Sequence, residues 1–293
     1  MSARKSANAL LWQVRQRIFD LQDRALVMGI LNVTPDSFSD GGQFEDAQSA
    51  VAHGLALAAS GADILDVGGE STRPGAAAVD APTEIARTLP VISGLRASGC
   101  QALISIDTSK AAVARAALEA GADILNDVTA LTGDPDMPAL AAASDCGLIL
   151  MHMRGEPRTM QADPQYHDVV AEVAAYLRAR LAAAEAAGIA TARIAVDPGI
   201  GFGKTADHNL ALLRATPALA NLGRPLVYGV SRKSFLGKLT GTTDPSERDW
   251  PTVALTSYGR EHGARIFRVH HVPHNAQALR MTEAILTAPS TDL

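Results

Sequence analysis

The chain has 293 residues, of which 47% are hydrophobic and only 4% aromatic, so Ala, Val, Leu and Ile must build its core. Its formal net charge of −5 excludes a general nucleic-acid binder, which needs surplus Lys and Arg to displace phosphate counterions; any anionic ligand must be held by local cations. No run approaches the roughly 20 apolar residues of a membrane helix, and Cys100 and Cys146 match no metal or redox spacing, so a cytoplasmic protein with reduced thiols is expected.

In chain order, residues 1–24 mix basic and apolar positions without a signal-peptide core, and 10–21 is predicted as a helix or arm outside a main domain spanning 25–293. Short aliphatic runs follow at 25–33, 63–68, 102–108, 123–128, 147–152, 193–198, 225–230 and 264–271. Between them lie Ala-rich stretches with helical spacing, such as Val51, Leu55 and Ala58, or Val113, Ala117 and Leu118. Gly61, Gly99, Gly121, Gly147, Gly188, Gly223 and Gly263 fall at or before strand starts, where a left-handed residue ends the preceding helix. Residues 61–65 and 121–125 both read Gly-Ala-Asp-Ile-Leu, an echo that suits a symmetric barrel. Eight alternating βα units predict an α/β fold whose parallel strands close into a (β/α)8 TIM barrel, with an open doubly wound sheet as the alternative.

In such a barrel the C-terminal strand ends converge on the one mouth where substrate binds. The first strand leads into Asn32, Asp36 and Asp40, the second into Glu70 and Arg73, and the third ends in Asp107 and Thr108. The fourth carries Asn126-Asp127, the fifth Met151-His152, the sixth Asp197, the seventh Ser231-Arg-Lys-Ser234 and the eighth Arg268-Val-His-His271. A single Asp or Asn after a strand commonly caps the next helix. Polar groups at every strand end are a different observation. Asp107, Asn126 and Asp197 suit the N–H, NH₂ and C=O edge of a flat nitrogen heterocycle. Arg73, Arg232, Lys233, Arg268 and His270 suit a phosphorylated or carboxylated ligand. Asn32, Asp36 and Asp40 offer oxygens to a hard ion such as Mg²⁺, and nothing clusters His and Cys as zinc requires. Both cysteines precede strands, at the opposite end, which argues against a thiol nucleophile. Gly199-Ile-Gly-Phe-Gly-Lys-Thr205 looks like a nucleotide-binding P-loop, but position 198, where that pattern needs glycine, is proline.

These residues resemble the dihydropteroate synthase family of pterin-binding barrel enzymes, from about residue 25 to the last helix. The resemblance rests on Gly29-Ile-Leu-Asn-Val-Thr-Pro-Asp-Ser-Phe-Ser-Asp-Gly-Gly42, Gly68-Gly-Glu-Ser-Thr-Arg-Pro-Gly75, Ile106-Asp-Thr-Ser-Lys110, Asn126-Asp-Val128 and Leu150-Met-His-Met153. It continues through Asp197-Pro-Gly-Ile-Gly-Phe-Gly-Lys204, Ser231-Arg-Lys-Ser234 and Arg268-Val-His270. It implies condensation of 6-hydroxymethyl-7,8-dihydropterin diphosphate with p-aminobenzoate, Mg²⁺ as cofactor, inhibition by sulfonamides and a homodimer. By the same resemblance Asp107, Asn126, Asp197 and Lys233 hold the pterin, with Met151, Phe202 and Arg268 around its ring. Phe38, Thr72, Arg73, Pro74, Phe202, Lys233 and Ser234 shape the p-aminobenzoate pocket. Asn32, Arg268 and His270 hold diphosphate, Asn32 through the metal, and Asp107, Lys233, Arg268 and His270 carry the catalytic roles. Two positions depart from the family pattern: His271 stands where Asp is usual, which should loosen His270, and Ala111 where Pro is usual. A methyltetrahydrofolate-type pterin methyltransferase and a silent pterin-binding paralogue are the competing readings.

Overall fold

Two short strands come first, β1 (Leu11–Val14) and β2 (Arg17–Asp20), in a computed structural model that describes residues 9–34, 43–71, 78–155 and 159–289. The eight predicted runs follow as β3 (Leu26–Asn32), β4 (Ile64–Gly68), β5 (Leu103–Asp107), β6 (Ile124–Asp127), β7 (Gly147–Met151), β8 (Ile194–Asp197), β9 (Leu226–Tyr228) and β10 (Ala264–Val269). They close into one parallel barrel in the order β10-β3-β4-β5-β6-β7-β8-β9. The helices between them are α1 (Gln43–Ala59), α2 (Ala81–Ala97), α3 (Ala111–Glu119), α4 (Met137–Ala143), α5 (Val169–Ala186), α6 (Ala206–Arg214), α7 (Thr216–Ala220), α8 (Ser234–Thr240), α9 (Asp249–Glu261) and α10 (Val272–Thr287). Among the described residues no helix is long and apolar enough to cross a membrane.

Alternation along each strand sorts the buried residues into two cores. Val67, Ile104, Leu125, Leu148, Val196 and Phe267 face outward and pack beneath the helices. Their neighbours Ile64, Leu103, Ile124, Ile149, Ala195 and Ile266 face into the barrel. One step of two residues further along, the inward positions turn polar: Asp66, Ser105, Asn126, Asp197 and Arg268. The lower barrel is therefore an apolar plug, and its upper layers carry the chemistry.

Residues 10–21, expected as a helix or an arm, form the β1–β2 hairpin and no helix. Trp12, Val14 and Leu21 are fully buried against the apolar floor of the barrel, each aliphatic one contributing about 1.5–3 kcal/mol relative to exposure. The indole Nε1 of Trp12 donates to the Arg193 carbonyl at 2.9 Å, and the Arg15 backbone N–H to that of Asp145 at 2.9 Å. The alternation of basic and apolar residues was itself a period of two. Its turn, Arg15-Gln16, lacks the usual Gly or Asn, although Arg15 takes a φ of +56°.

Six of the seven punctuating glycines have positive φ, between +75° at Gly223 and +110° at Gly263. Gly147 does not. It opens β7, and a Cβ there would stand 2.8 Å from Val14 Cγ2, so its smallness makes room for the hairpin.

Candidate active site

The polar inward positions meet around Arg268. Its Nε donates to Asp66 Oδ2 at 2.6 Å and its Nη2 to Asp107 Oδ2 at 2.8 Å. Asn126 Nδ2 lies 3.4 Å from both Asp66 oxygens. Register brings Asn32 beside Gly68 and Gly68 beside Asp107. A Cβ at Gly68 would sit 3.6 Å from Asn32 Oδ1 and 3.7 Å from Asp107 Cβ, so glycine keeps the space between them open. Met151 ends β7 in register with Asp197.

Asp66 was not among the residues singled out from sequence. Its signal was present, because a carboxylate in the run Ile64-Leu-Asp-Val-Gly is buried whichever way the strand faces and must find a partner. Ser231 was missed as an anchor. The His270 backbone N–H donates to Ser231 Oγ at 3.1 Å, and Oγ lies 2.9 Å from His270 Nδ1. The hydroxyl thus contacts both the backbone and the ring of His270 and fixes the ring's orientation. Ser231, and not residue 271, therefore orients His270. His271 instead stacks on His274, centroids 3.9 Å apart, and accepts the His274 N–H at the start of α10.

The second departure is also absorbed. Ala111 has the N–H a proline would lack, and Asp134 Oδ2 accepts it at 2.8 Å. Asp127 points away from the mouth and accepts from the Thr129 and Leu131 backbone N–H groups, each at 2.8 Å, so it shapes the loop after β6. Arg232, expected among the ligand cations, is held by Asp249 through Nε at 2.7 Å and Nη2 at 2.8 Å, so it braces α9. Glu70 accepts from Lys110 Nζ and, at 3.1 Å, from the Val79 N–H, tying together the two ends of the segment that carries Thr72, Arg73 and Pro74. Those three residues, with Asp36, Phe38 and Asp40, lie outside the described residues.

Lys233 is partly buried, with Nζ 3.9 Å from the Phe202 ring centroid, a cation–π contact that joins the loop after β8 to the start of α8. Ser234, the first residue of α8, is exposed beside it. Burial pushes the Lys233 amine down to about 8, reinforced by Arg268 and opposed by Asp197 and Asp107. Burial likewise raises Asp107 to about 7 against the pull of Arg268, with Asp66 and Glu84 adding to the rise. Asp197 is also raised by burial, opposed first by the Gly199 N–H. Arg268 stays charged: burial works against it, but Asp66 and Asp107 outweigh that. The mouth thus combines the three buried carboxyl groups of Asp66, Asp107 and Asp197, an amide, a guanidinium and an amine lowered to about 8, a donor and acceptor set for a heterocycle edge.

The Gly199–Lys204 segment is not a phosphate cradle. The Gly199 N–H is spent on Asp197 Oδ1 at 2.7 Å and the Gly201 N–H on Asn209 Oδ1 at 2.8 Å. Cys100 and Cys146 are buried at the other end of the barrel and form no disulfide.

A closed eight-stranded barrel with this polar ring defines a pterin-binding barrel enzyme, and residues 28–270 match the family described as pterin binding enzyme. A dihydropteroate synthase of Neisseria meningitidis serogroup C is 48% identical over 278 residues, spanning 94% of this chain and 97% of the relative. The Xanthomonas albilineans dihydropteroate synthase solved with 4-aminobenzoic acid superimposes with a TM-score of 0.89 at 45% identity, over 96% of this chain and 100% of that one. The same enzyme in complex with 7,8-dihydropteroate gives 0.84 at 43% identity, over 94% and 98%. A Yersinia pestis dihydropteroate synthase in a sulfonamide drug complex gives 0.88 at 40% identity, over 95% and 100%. The chain belongs to the dihydropteroate synthase family, and it is a transferase.

Proposed function

We propose that the protein joins 6-hydroxymethyl-7,8-dihydropterin diphosphate to p-aminobenzoate, releasing diphosphate and 7,8-dihydropteroate. The observation that carries this reading is the ring of Asp107, Asn126, Asp197 and Lys233 around Arg268 at one barrel mouth. Asp107, Asn126 and Asp197 would take the polar edge of the pterin, Lys233 its carbonyl side, and Met151, Phe202 and Arg268 its faces. Phe202, Lys233 and Ser234, with Phe38, Thr72, Arg73 and Pro74, would receive p-aminobenzoate, and sulfonamides in its place.

The C–O bond of the methylene breaks as diphosphate leaves toward Arg268 and His270. The dihydropterin spreads the positive charge left on the methylene, and the Asp107 carboxylate would stabilise that charge. The amine of p-aminobenzoate then forms the C–N bond and gives up a proton to the departing diphosphate or to water. No side-chain nucleophile is needed. Asn32 fits a Mg²⁺ site as a single neutral oxygen donor, the remaining ligands being water and phosphate oxygens, which is how this ion commonly binds. When bound it would neutralise the leaving diphosphate. Among the described residues no group of three or more His, Cys, Asp or Glu could hold a metal by itself.

The purified protein, given both substrates and Mg²⁺, should release diphosphate only when both are present. Methyl transfer from methyltetrahydrofolate, or pterin binding without turnover, would replace this reading with one of its rivals.

The reading extends to a cytoplasmic homodimer. On α10 the side chains of Met281 and Ile285 are 63% and 65% exposed and four residues apart, an apolar stripe of the kind that pairs with a second copy. A sedimentation mass of one chain at micromolar concentration would remove the dimer.

A further inference from the structure

We propose that Lys204 is a positioning residue for this reaction, its buried ammonium stitching the 199–203 glycine loop to His152 and so holding the Phe202 ring beneath the Lys233 amine. The proposal rests on the reading of Phe202 and Lys233 as substrate contacts.

Lys204 is 3% exposed, and its Nζ lies 2.9 Å from each of three acceptors: the Gly199 carbonyl, the Phe202 carbonyl and His152 Nδ1. Burial pushes this amine down to about 7, opposed by Asp197, and in its charged form its three N–H donors match the three acceptors one to one. His152 keeps its acceptor lone pair because burial, aided by the Lys204 charge, pushes the ring down to about 3. A guanidinium would not substitute, since its donors lie in one plane.

Within 199–203 only Ile200, buried in the outer core, and Phe202 carry side chains, so backbone contacts do much of the anchoring. Gly199, Gly201 and Gly203 all have positive φ. A Cβ at Gly199 would be 1.8 Å from the His152 carbonyl oxygen, and one at Gly203 would be 2.3 Å from that of Arg154, so the loop lies flush on the chain leaving β7. Asp197 and Asn209 take two of its N–H groups, and the Tyr166 hydroxyl donates to the Gly203 carbonyl at 3.0 Å. Lys204 takes the Gly199 and Phe202 carbonyls, beside the Phe202 N–H that donates to the Gly199 carbonyl at 3.1 Å and the Gln161 amide that donates to the Gly201 carbonyl, and so it closes the loop at the residue whose ring faces the Lys233 amine. Gly201 lies against the Lys233 stem, 2.9 Å from Cδ to a would-be Cβ, so any shift of the loop reaches Lys233 directly. The lysine of a P-loop reaches out to phosphate. This one is turned inward and organises the loop.

The test compares wild type with Lys204→Met, His152→Leu and His152→Asn, using steady-state kinetics, thermal melting and amide exchange. Lys204→Met should lower kcat/KM for p-aminobenzoate roughly 10- to 100-fold, chiefly through KM, because a misplacement of about 1 Å at a positioned site costs that much. Its Phe202 amide should exchange faster. His152→Leu removes one acceptor and should show the same pattern at about 3- to 10-fold, while His152→Asn returns an oxygen acceptor near the Nδ1 position and should recover most of the loss. Lys204→Met with wild-type KM and wild-type exchange across 199–203 would overturn the proposal, as would a fall in kcat alone that tracks the fraction of unfolded protein. If Lys204→Met does not fold, the two His152 variants decide by the same criteria. A wild type that releases no diphosphate would sink the functional reading, and the exchange comparison would still test the anchor.

Discussion

The Asp107 carboxylate accepts from Arg268 Nη2 at 2.8 Å, and this contact joins the third and eighth barrel strands across the mouth. Because Asp66 holds Nε of the same guanidinium at 2.6 Å, Arg268 is aimed before any ligand arrives. Preorganised charge of this kind acts on a transition state without reorganising.

Replacing Asp107 by Asn keeps the shape and removes the charge. A charge-assisted hydrogen bond is worth about 1.5–3 kcal/mol, so turnover should fall roughly 10- to 150-fold, as measured by diphosphate release. Cys100→Ser and Cys146→Ser, at the far end of the barrel, should retain wild-type turnover. Normal kinetics in Asp107→Asn would remove this carboxylate from the mechanism.

Asp107 also predicts a pH dependence. Its folded value near 7 lies above the unfolded 3.8, so between these the native state binds more protons than the unfolded chain. Its stabilising effect is complete below 3.8 and is lost as pH rises through about 7. The Asp107→Asn chain, measured by urea unfolding, should therefore gain on wild type between pH 5 and pH 7.5. In kinetics the sign reverses: wild-type kcat/KM should fall as pH drops below about 7 and the carboxylate is neutralised. A flat stability difference across that interval would show that the carboxyl titrates normally.

The Ser231–His270 contact predicts an asymmetric pair of outcomes. Ser231→Ala removes hydrogen bonding worth about 1 kcal/mol and should lower kcat/KM about 5-fold. His271→Asp, which restores the residue usual in the family, should change it less than 2-fold, since position 271 does not orient His270. A larger effect at 271 than at 231 would reverse the assignment.

Trp12 should matter for stability and not for catalysis. Trp12→Ala empties the floor of the barrel and should cost about 3–5 kcal/mol in urea unfolding, with kcat/KM of the remaining folded protein unchanged. Gly147→Ala presses on Val14 from the other side and should cost about 1–3 kcal/mol. If both variants keep wild-type stability, the hairpin is not part of the core.

The strands were legible because each is a short aliphatic run closed by a polar residue, and their burial demands no partner beyond the next strand and its helix. The same runs carried the mouth residues Asn32, Asp107, Asn126, Met151, Asp197, Arg268 and His270, since a strand's end is a local property. Partners were not local. Asp66 and Arg268 are 202 residues apart, Ser231 and His270 39, and Lys204 and His152 52, and closure of the barrel alone brings them to hydrogen-bond distance. Arg232 illustrates the limit from the other side: its sequence neighbours placed it with the ligand cations, yet the turn at φ +57° directs it to Asp249. The hairpin was misread for a related reason. Its pattern suits a strand, but only the apolar floor of a finished barrel makes burying Trp12 and Val14 worth more than a solvated helix. Residue type and spacing thus determined the elements and the chemistry available at the mouth. The closed sheet decided which charges meet, because pairing energies depend on distances that the linear chain does not contain.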